Sequence, residues 1–122
     1  MKVFLGGTCT GWNWRANFIP MLECDYFNPL VEVWSEENRL REVKERAEAD
    51  FVLYTITNDM QGVYSIAEVI DDSNKRPEKT ILCNLNNDAS LNLISVERLL
   101  LENGAVVFHS LESVAEYLNR GI

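Results

Sequence analysis

Glu68 is the residue whose setting most invites chemistry. Upstream of it, Phe51 to Ile56 is a nearly unbroken apolar and β-branched run, the pattern of a strand covered on both faces. Thr57, Asn58 and Asp59 end the run, and Gly62 adds a flexible point in the loop. Val63, Ile66, Ala67 and Ile70 then fall at the spacing of one helical stripe. Glu68 lies inside that helix, so a carboxylate appears where a buried strand hands over to a helix. A glutamate among apolar neighbours gains proton affinity unless donors keep it ionised. Ionised and positioned, it can attack an electrophilic carbon, such as the anomeric carbon of a nucleoside, and form a glycosyl ester. Retaining sugar chemistry also needs an acid for the leaving group. Asp59 is the nearest second carboxylate, whereas Asp50 begins the strand and belongs to its opposite edge. The plainer alternative, a helix residue with its carboxylate in water, is what spacing alone favours.

A second suggestive stretch lies near the start. Lys2 to Gly6 reads as a short buried strand, followed by the small-residue loop Gly6-Gly7-Thr8-Cys9-Thr10-Gly11. Glycines there permit close approach of a ligand to the backbone, and a following helix could turn its amides toward an anion. The spacing matches neither the phosphate-binding lysine loop nor the dinucleotide fingerprint, so a bare strand-to-helix turn is the alternative. Trp12, Trp14 and Arg15 follow, with Phe18, Ile19 and Met21 on a first helix that Pro20 should shorten or bend. Arg15 is the one cation next to the loop, either facing a ligand or solvated on its helix.

The elements that must position these loops alternate along the chain. Asp25 to Pro29 looks like a second strand ending at a proline turn. Leu30 to Trp34 is an irregular apolar stretch, with Trp34 either a stacking wall for a planar ligand or a core or subunit contact. Ser35 is a plausible cap for a helix carrying Leu40, Val43 and Ala47 inward, with Glu37–Arg41 and Glu42–Arg46 as solvated pairs. Thr80 to Asn84 is a fourth strand. Ser90 is a cap candidate for a helix with Leu91, Ile94, Leu99 and Leu100 as its stripe, stopped at Asn103-Gly104. Ala105 to His109 is a fifth strand, and Ser110 caps a last helix with Leu111, Val114, Ala115 and Leu118 inward.

Five alternations with right-handed crossovers predict an α/β fold of three layers, a flavodoxin-like, doubly wound, five-stranded parallel sheet in the order 2-1-3-4-5. Such sheets bind ligands at the carboxyl ends where the strand order reverses, between the first and third strands. The loops Gly6 to Arg15 and Thr57 to Glu68 converge there.

The chain of 122 residues suits one domain, residues 1–122, with 47% hydrophobic and 25% charged residues. A net charge of −8 argues against a nonspecific hold on a nucleic-acid polymer, without excluding a small anion in a locally positive pocket. Cys9, Cys24 and Cys83 are odd in number and far apart, which suggests reduced thiols in a cytoplasmic protein. The short run Val3 to Leu5 is no signal peptide or membrane span, so no membrane partner is expected. His109 is the only histidine and has no ligand-spaced companion, so no metal site is read; no cofactor is indicated.

Several stretches in order also resemble the nucleoside 2-deoxyribosyltransferase family. They are Lys2-Val-Phe-Leu-Gly-Gly-Thr, Trp14-Arg15, Phe27-Asn28-Pro29, Ala49-Asp50-Phe-Val-Leu-Tyr and Gly62-Val-Tyr-Ser-Ile-Ala-Glu68. The likeness is closest to a short branch of such proteins often found in phages and bacteria, and covers about the first 85 residues. It implies Glu68 as the nucleophile, Asn58, Asp59, Gly62 and Tyr64 lining the sugar, and Gly6, Gly7 and Thr8 bordering the sugar or its 5′ group. Trp14, Arg15 and Asn28, on its remaining motifs, join the expected substrate-binding set. It also implies a homodimer or larger homo-oligomer acting on a nucleoside or nucleotide. The chain departs from the family where an aspartate on the helix before the third strand assists the base; near that place stand Arg39, Leu40, Arg41 and Glu42. Two classes follow: an enzyme that transfers or hydrolyses the N-glycosidic bond of a (deoxy)nucleoside or its 5′-monophosphate, or a noncatalytic nucleotide-binding or interaction module on the same fold.

Overall fold

The computed structural model describes residues 1–31, 33–88 and 91–120. Five parallel strands form one sheet: β1 (Lys2–Gly7), β2 (Asp25–Phe27), β3 (Phe51–Ile56), β4 (Thr80–Asn84) and β5 (Val106–Phe108). Their order is β2-β1-β3-β4-β5, the flavodoxin-like arrangement that the alternation of elements implies. Gly6 and Gly7 at the end of β1 pair with Tyr54 and Thr55 of β3, so the reversal of strand order lies beside these residues.

Side chains alternate across the sheet, and each face has its own core. On one face Val3, Leu5, Leu53, Ile81 and Cys83 pack against Trp14 and Phe18 of α1 (Trp14–Phe18) and Leu111, Val114 and Leu118 of α5 (Leu111–Asn119). On the other, Phe4, Val52, Tyr54, Ile56 and Leu82 meet Val69 of α3 (Tyr64–Lys75) and Leu100 of α4 (Ile94–Asn103). Pro20 sits in a 3-10 turn, Ile19–Met21, that continues α1, as its missing N–H predicts. Ser35 and Ser110 cap their helices, accepting from Asn38 N at 3.1 Å and Ser113 N at 3.2 Å. Gly104 ends α4 with its N–H on Leu100 and Leu101.

Several helical stripes differ from the periodic reading. In α3 the buried positions are Val69, Asp72 and Ser73, while Val63 and Ala67 are exposed. In α4 Leu100 is buried but Ile94 and Leu99 face out, and Leu93 just before the helix supplies the second core contact. Ser90 lies outside the described residues. The largest departure is α2 (Glu36–Glu48): none of its residues, all of them described, is buried. Leu40, Val43 and Ala47 point outward, and Glu37–Arg41 and Glu42–Arg46 do not form. The cause is on the helix's inner side. Arg46 reaches across to Asp72 and Lys2 pairs with Glu45 at 3.0 Å, so charged residues occupy the face that the apolar stripe would have needed.

Candidate active site at the carboxyl edge of the sheet

Close backbone approach shapes the first loop. Gly7 has φ +112°, and a Cβ there would stand 2.1 Å from Thr55 O, so the β1–β3 pairing demands glycine. Beyond it, Thr8 N donates to Thr55 O at 2.9 Å, and Thr8 Oγ1 accepts from Thr57 N at 3.0 Å. Thr8 O in turn accepts from Trp14 Nε1 at 2.9 Å and Arg15 Nη1 at 2.8 Å. Arg15 also donates from Nε to Leu5 O at 3.0 Å, and its guanidinium lies 4.5 Å from the Trp14 ring centroid. It is only 2% exposed, and burial lowers the affinity of this guanidinium for its proton. Arg15 is therefore not solvated on its helix; its guanidinium lies beneath the glycine loop and braces it.

Asp59 ties the two converging loops. Its backbone oxygen accepts from Thr10 Oγ1 at 2.8 Å and its Oδ2 from Trp12 N at 2.9 Å. Gly11 passes directly over this carboxylate at φ +73°, where a Cβ would come within 2.4 Å of Oδ2. Asn58 makes a reciprocal pair with Asn87, donating to Oδ1 at 2.7 Å and accepting from N at 2.8 Å, which links the loops after β3 and β4. Asn28 turns its own loop, accepting from Leu30 N at 3.1 Å.

Between the first and third loops lies a hollow of about 180 Å³, walled by Gly7 to Thr10 on one side and by Met60, Gln61, Gly62, Tyr64 and Ser65 on the other. The volume suits a sugar ring, whereas whole-ligand pockets are usually about 300 Å³ or more. None of the described residues lining it is charged.

Glu68 lies one helical turn beyond Tyr64 and Ser65, on their side of α3, and does not line the hollow. Its side chain is 13% exposed and turned into the seam between α2 and α3, where Oε2 stands 3.6 Å from Arg46 Nη1. Burial pushes its carboxyl up to about 7; Arg46 opposes this, while Glu42, Asp72 and Asp71 reinforce it. Behind it sits a polar knot. Asp72, fully buried, accepts from Tyr54 OH at 2.5 Å, Arg46 Nε at 3.0 Å and Arg76 Nε at 2.9 Å. Burial works against the Arg46 charge, but the bond to Asp72 and the charges of Asp72 and Glu68 outweigh it and hold the guanidinium firmly protonated. Burial also raises Glu42, which feels both Arg46 and Arg15. The Tyr54 ring stands over Gly6, where a Cβ would meet Cε1 at 2.7 Å, so glycine is required there for packing.

Of the residues expected at the site, Gly7, Thr8, Gly62 and Tyr64 come together around the hollow. Glu68 stands one turn away, Gly6 lies under Tyr54, Trp14 and Arg15 are buried supports, and Asn28, Asn58 and Asp59 organise loops. A Cβ at Gly62 would meet nothing within 4 Å, so the fold makes no demand for glycine there. The periodic reading missed Glu42, Arg46, Tyr54 and Asp72. A signal for Asp72 existed: it is four residues after Glu68 and three after Val69, a carboxylate on the inner side of a helix. Among the described residues no His, Cys, Asp and Glu group is placed to hold a metal ion, and no helix is long and apolar enough to cross a membrane.

No family model matches this chain, and no curated protein matches it.

Proposed function

We propose that the protein takes a nucleoside at the carboxyl edge between β1 and β3 and transfers or hydrolyses its N-glycosidic bond, with Glu68 as nucleophile. The observation that carries this reading is a half-buried carboxyl, pushed up to about 7, one helical turn from a hollow of sugar size. Near neutral pH such a group exists in both forms, and its ionised form is poorly solvated and correspondingly reactive. Attack requires the carboxylate to leave Arg46 and turn toward the Tyr64–Ser65 turn. There it bonds to the anomeric carbon as the carbon–nitrogen bond breaks, and the base departs with the bonding pair. Glu42, raised by burial and feeling the charge of Glu68, is the candidate we name for the proton that the base needs. A second base, or water, then attacks the glycosyl ester and frees Glu68. Asp59 is a poor candidate for the acid because its carboxylate is held by Trp12 N. The uncharged lining favours nucleosides over 5′-monophosphates, and Arg15 offers a phosphate no free fork. A cytoplasmic place and membership of the deoxyribosyltransferase-like proteins accord with this chemistry.

One observation favours the noncatalytic module instead: Arg46 covers Glu68, and the hollow stops a turn short of the carboxylate. Incubation with deoxy- and ribonucleosides and their 5′-monophosphates, with chromatography of free base, separates the two. Release by the wild type that Glu68→Ala abolishes supports the enzyme. Absence of release together with a ligand-induced rise in melting temperature supports the module.

A further inference from the structure

A second hollow opens at the same edge of the sheet, on the other side of the glycine loop. It measures about 430 Å³, inside the range of about 300–1,000 Å³ that small-molecule pockets occupy. Gly7 to Thr10 line the first hollow and Trp12, just beyond them, lines this one, so the loop is a wall common to both. Asn17 of α1 meets it from one side and Leu111 and Glu112, at the start of α5, from another. Trp12 belongs to neither core and is 47% exposed. Its backbone is nevertheless held at both ends: its N–H donates to Asp59 Oδ2 at 2.9 Å, and its carbonyl accepts from Trp14 N at 3.0 Å. A large ring fixed beside a hollow, with Met21, Leu85 and Leu111 as further apolar lining, is a stacking surface for a flat ligand.

The polar side of the hollow selects the ligand's charge. His109 is anchored, with Nε2 at 2.9 Å from Glu97 Oε1, while Glu97 Oε2 accepts from Asn84 Nδ2 at 2.7 Å. With the shared proton on Nε2, Nδ1 of the neutral ring is an acceptor. Glu112 adds a carboxylate, and no Lys or Arg stands among the described residues lining the hollow. The start of α5 favours negative charge, but Glu112 already supplies it. The hollow thus disfavours anions and offers acceptors to ring N–H groups. We propose that it binds an uncharged, flat heteroaromatic molecule, stacked on Trp12 with its ring N–H turned toward His109 and Glu112. Glu68 takes no part in this site, so the inference stands whether or not that residue performs any chemistry.

Nuclear magnetic resonance of the full chain at about pH 8, titrated with benzimidazole, tests it. Benzimidazole is neutral there, flat, and carries one ring N–H. His109 is the only histidine, so its imidazole signals are identified at once. They should shift saturably, together with the Trp12 indole signal. Benzoate, a flat anion with as many non-hydrogen atoms, should bind at least about tenfold more weakly. Trp12→Leu should weaken benzimidazole by about tenfold. Asn17→Trp, at an exposed position of α1, should fill the hollow and abolish the shift while circular dichroism stays that of the wild type. Glu68→Ala should bind the probe as the wild type does. No saturable shift at His109 with millimolar benzimidazole overturns the proposal. So does a shift centred on Tyr64 and Ser65 of the first hollow with His109 unmoved, or benzoate binding as tightly as benzimidazole. Full binding in both Trp12→Leu and Asn17→Trp overturns it equally.

Discussion

Replacing Glu68 by glutamine removes an ionisation that the fold resists while leaving a side chain of nearly the same shape. The carboxyl moves from an ordinary value near 4.5 up to about 7 because its side chain is 13% exposed in the α2–α3 seam. The folded protein therefore binds the Glu68 proton more tightly than the unfolded chain does. The contribution of Glu68 to stability is greatest below pH 4.5, falls as the pH rises toward 7, and is level above that. The full difference amounts to about 3 kcal/mol at pH 8, about 2 kcal/mol at pH 6 and less than about 0.5 kcal/mol at pH 4.5. Glutamine has no charge to desolvate, so Glu68→Gln should be more stable than wild type by about 3 kcal/mol at pH 8, the attraction to Arg46 being already contained in the raised value. Arg46 keeps its bonds to Asp72 at 3.0 Å and Asp71 at 3.2 Å, so it is not left buried and unpaired. Urea unfolding of both proteins at several pH values gives the difference directly. A variant no more stable than wild type at pH 8, or a stability gap that fails to shrink on acidification, would refute the claim that burial dominates at Glu68.

Arg15→Lys should lose about 2–4 kcal/mol of stability, because an ammonium cannot span Leu5 O and Thr8 O as the guanidinium does. Urea unfolding reads this; a raised KM for phosphorylated substrates with stability intact would instead place Arg15 at the ligand. Tyr54→Phe should cost about 1–3 kcal/mol by removing one donor from the fully buried Asp72, as a lowered urea midpoint. Arg46 and Arg76 remain on that carboxylate, so the variant should still fold.

Sequence alone was enough for what depends on neighbours along the chain. The apolar run at Phe51–Ile56 became the fully buried central strand, and Ser35, Ser110 and Gly104 bound their helices as their side chains, or lack of one, dictate. The inward stripe of α5 matches its periodicity residue for residue. These elements fix the strand order through the handedness of their crossovers, and with it the edge where a ligand can sit. What only the tertiary structure decided was which way polar-sided elements turn. Arg46 finds Asp72 from 26 positions away, and that contact rotates α2 until Leu40 and Val43 face outward. Arg15 reads as an exposed helix cation, yet the carbonyls of Leu5 and Thr8 draw it beneath the loop. Asp59 reads as a spare acid, yet Gly11 and Trp12 lie against it. Periodicity records where apolar side chains repeat, whereas the bonds that orient a charged side chain join residues whose separation in the chain carries no such pattern.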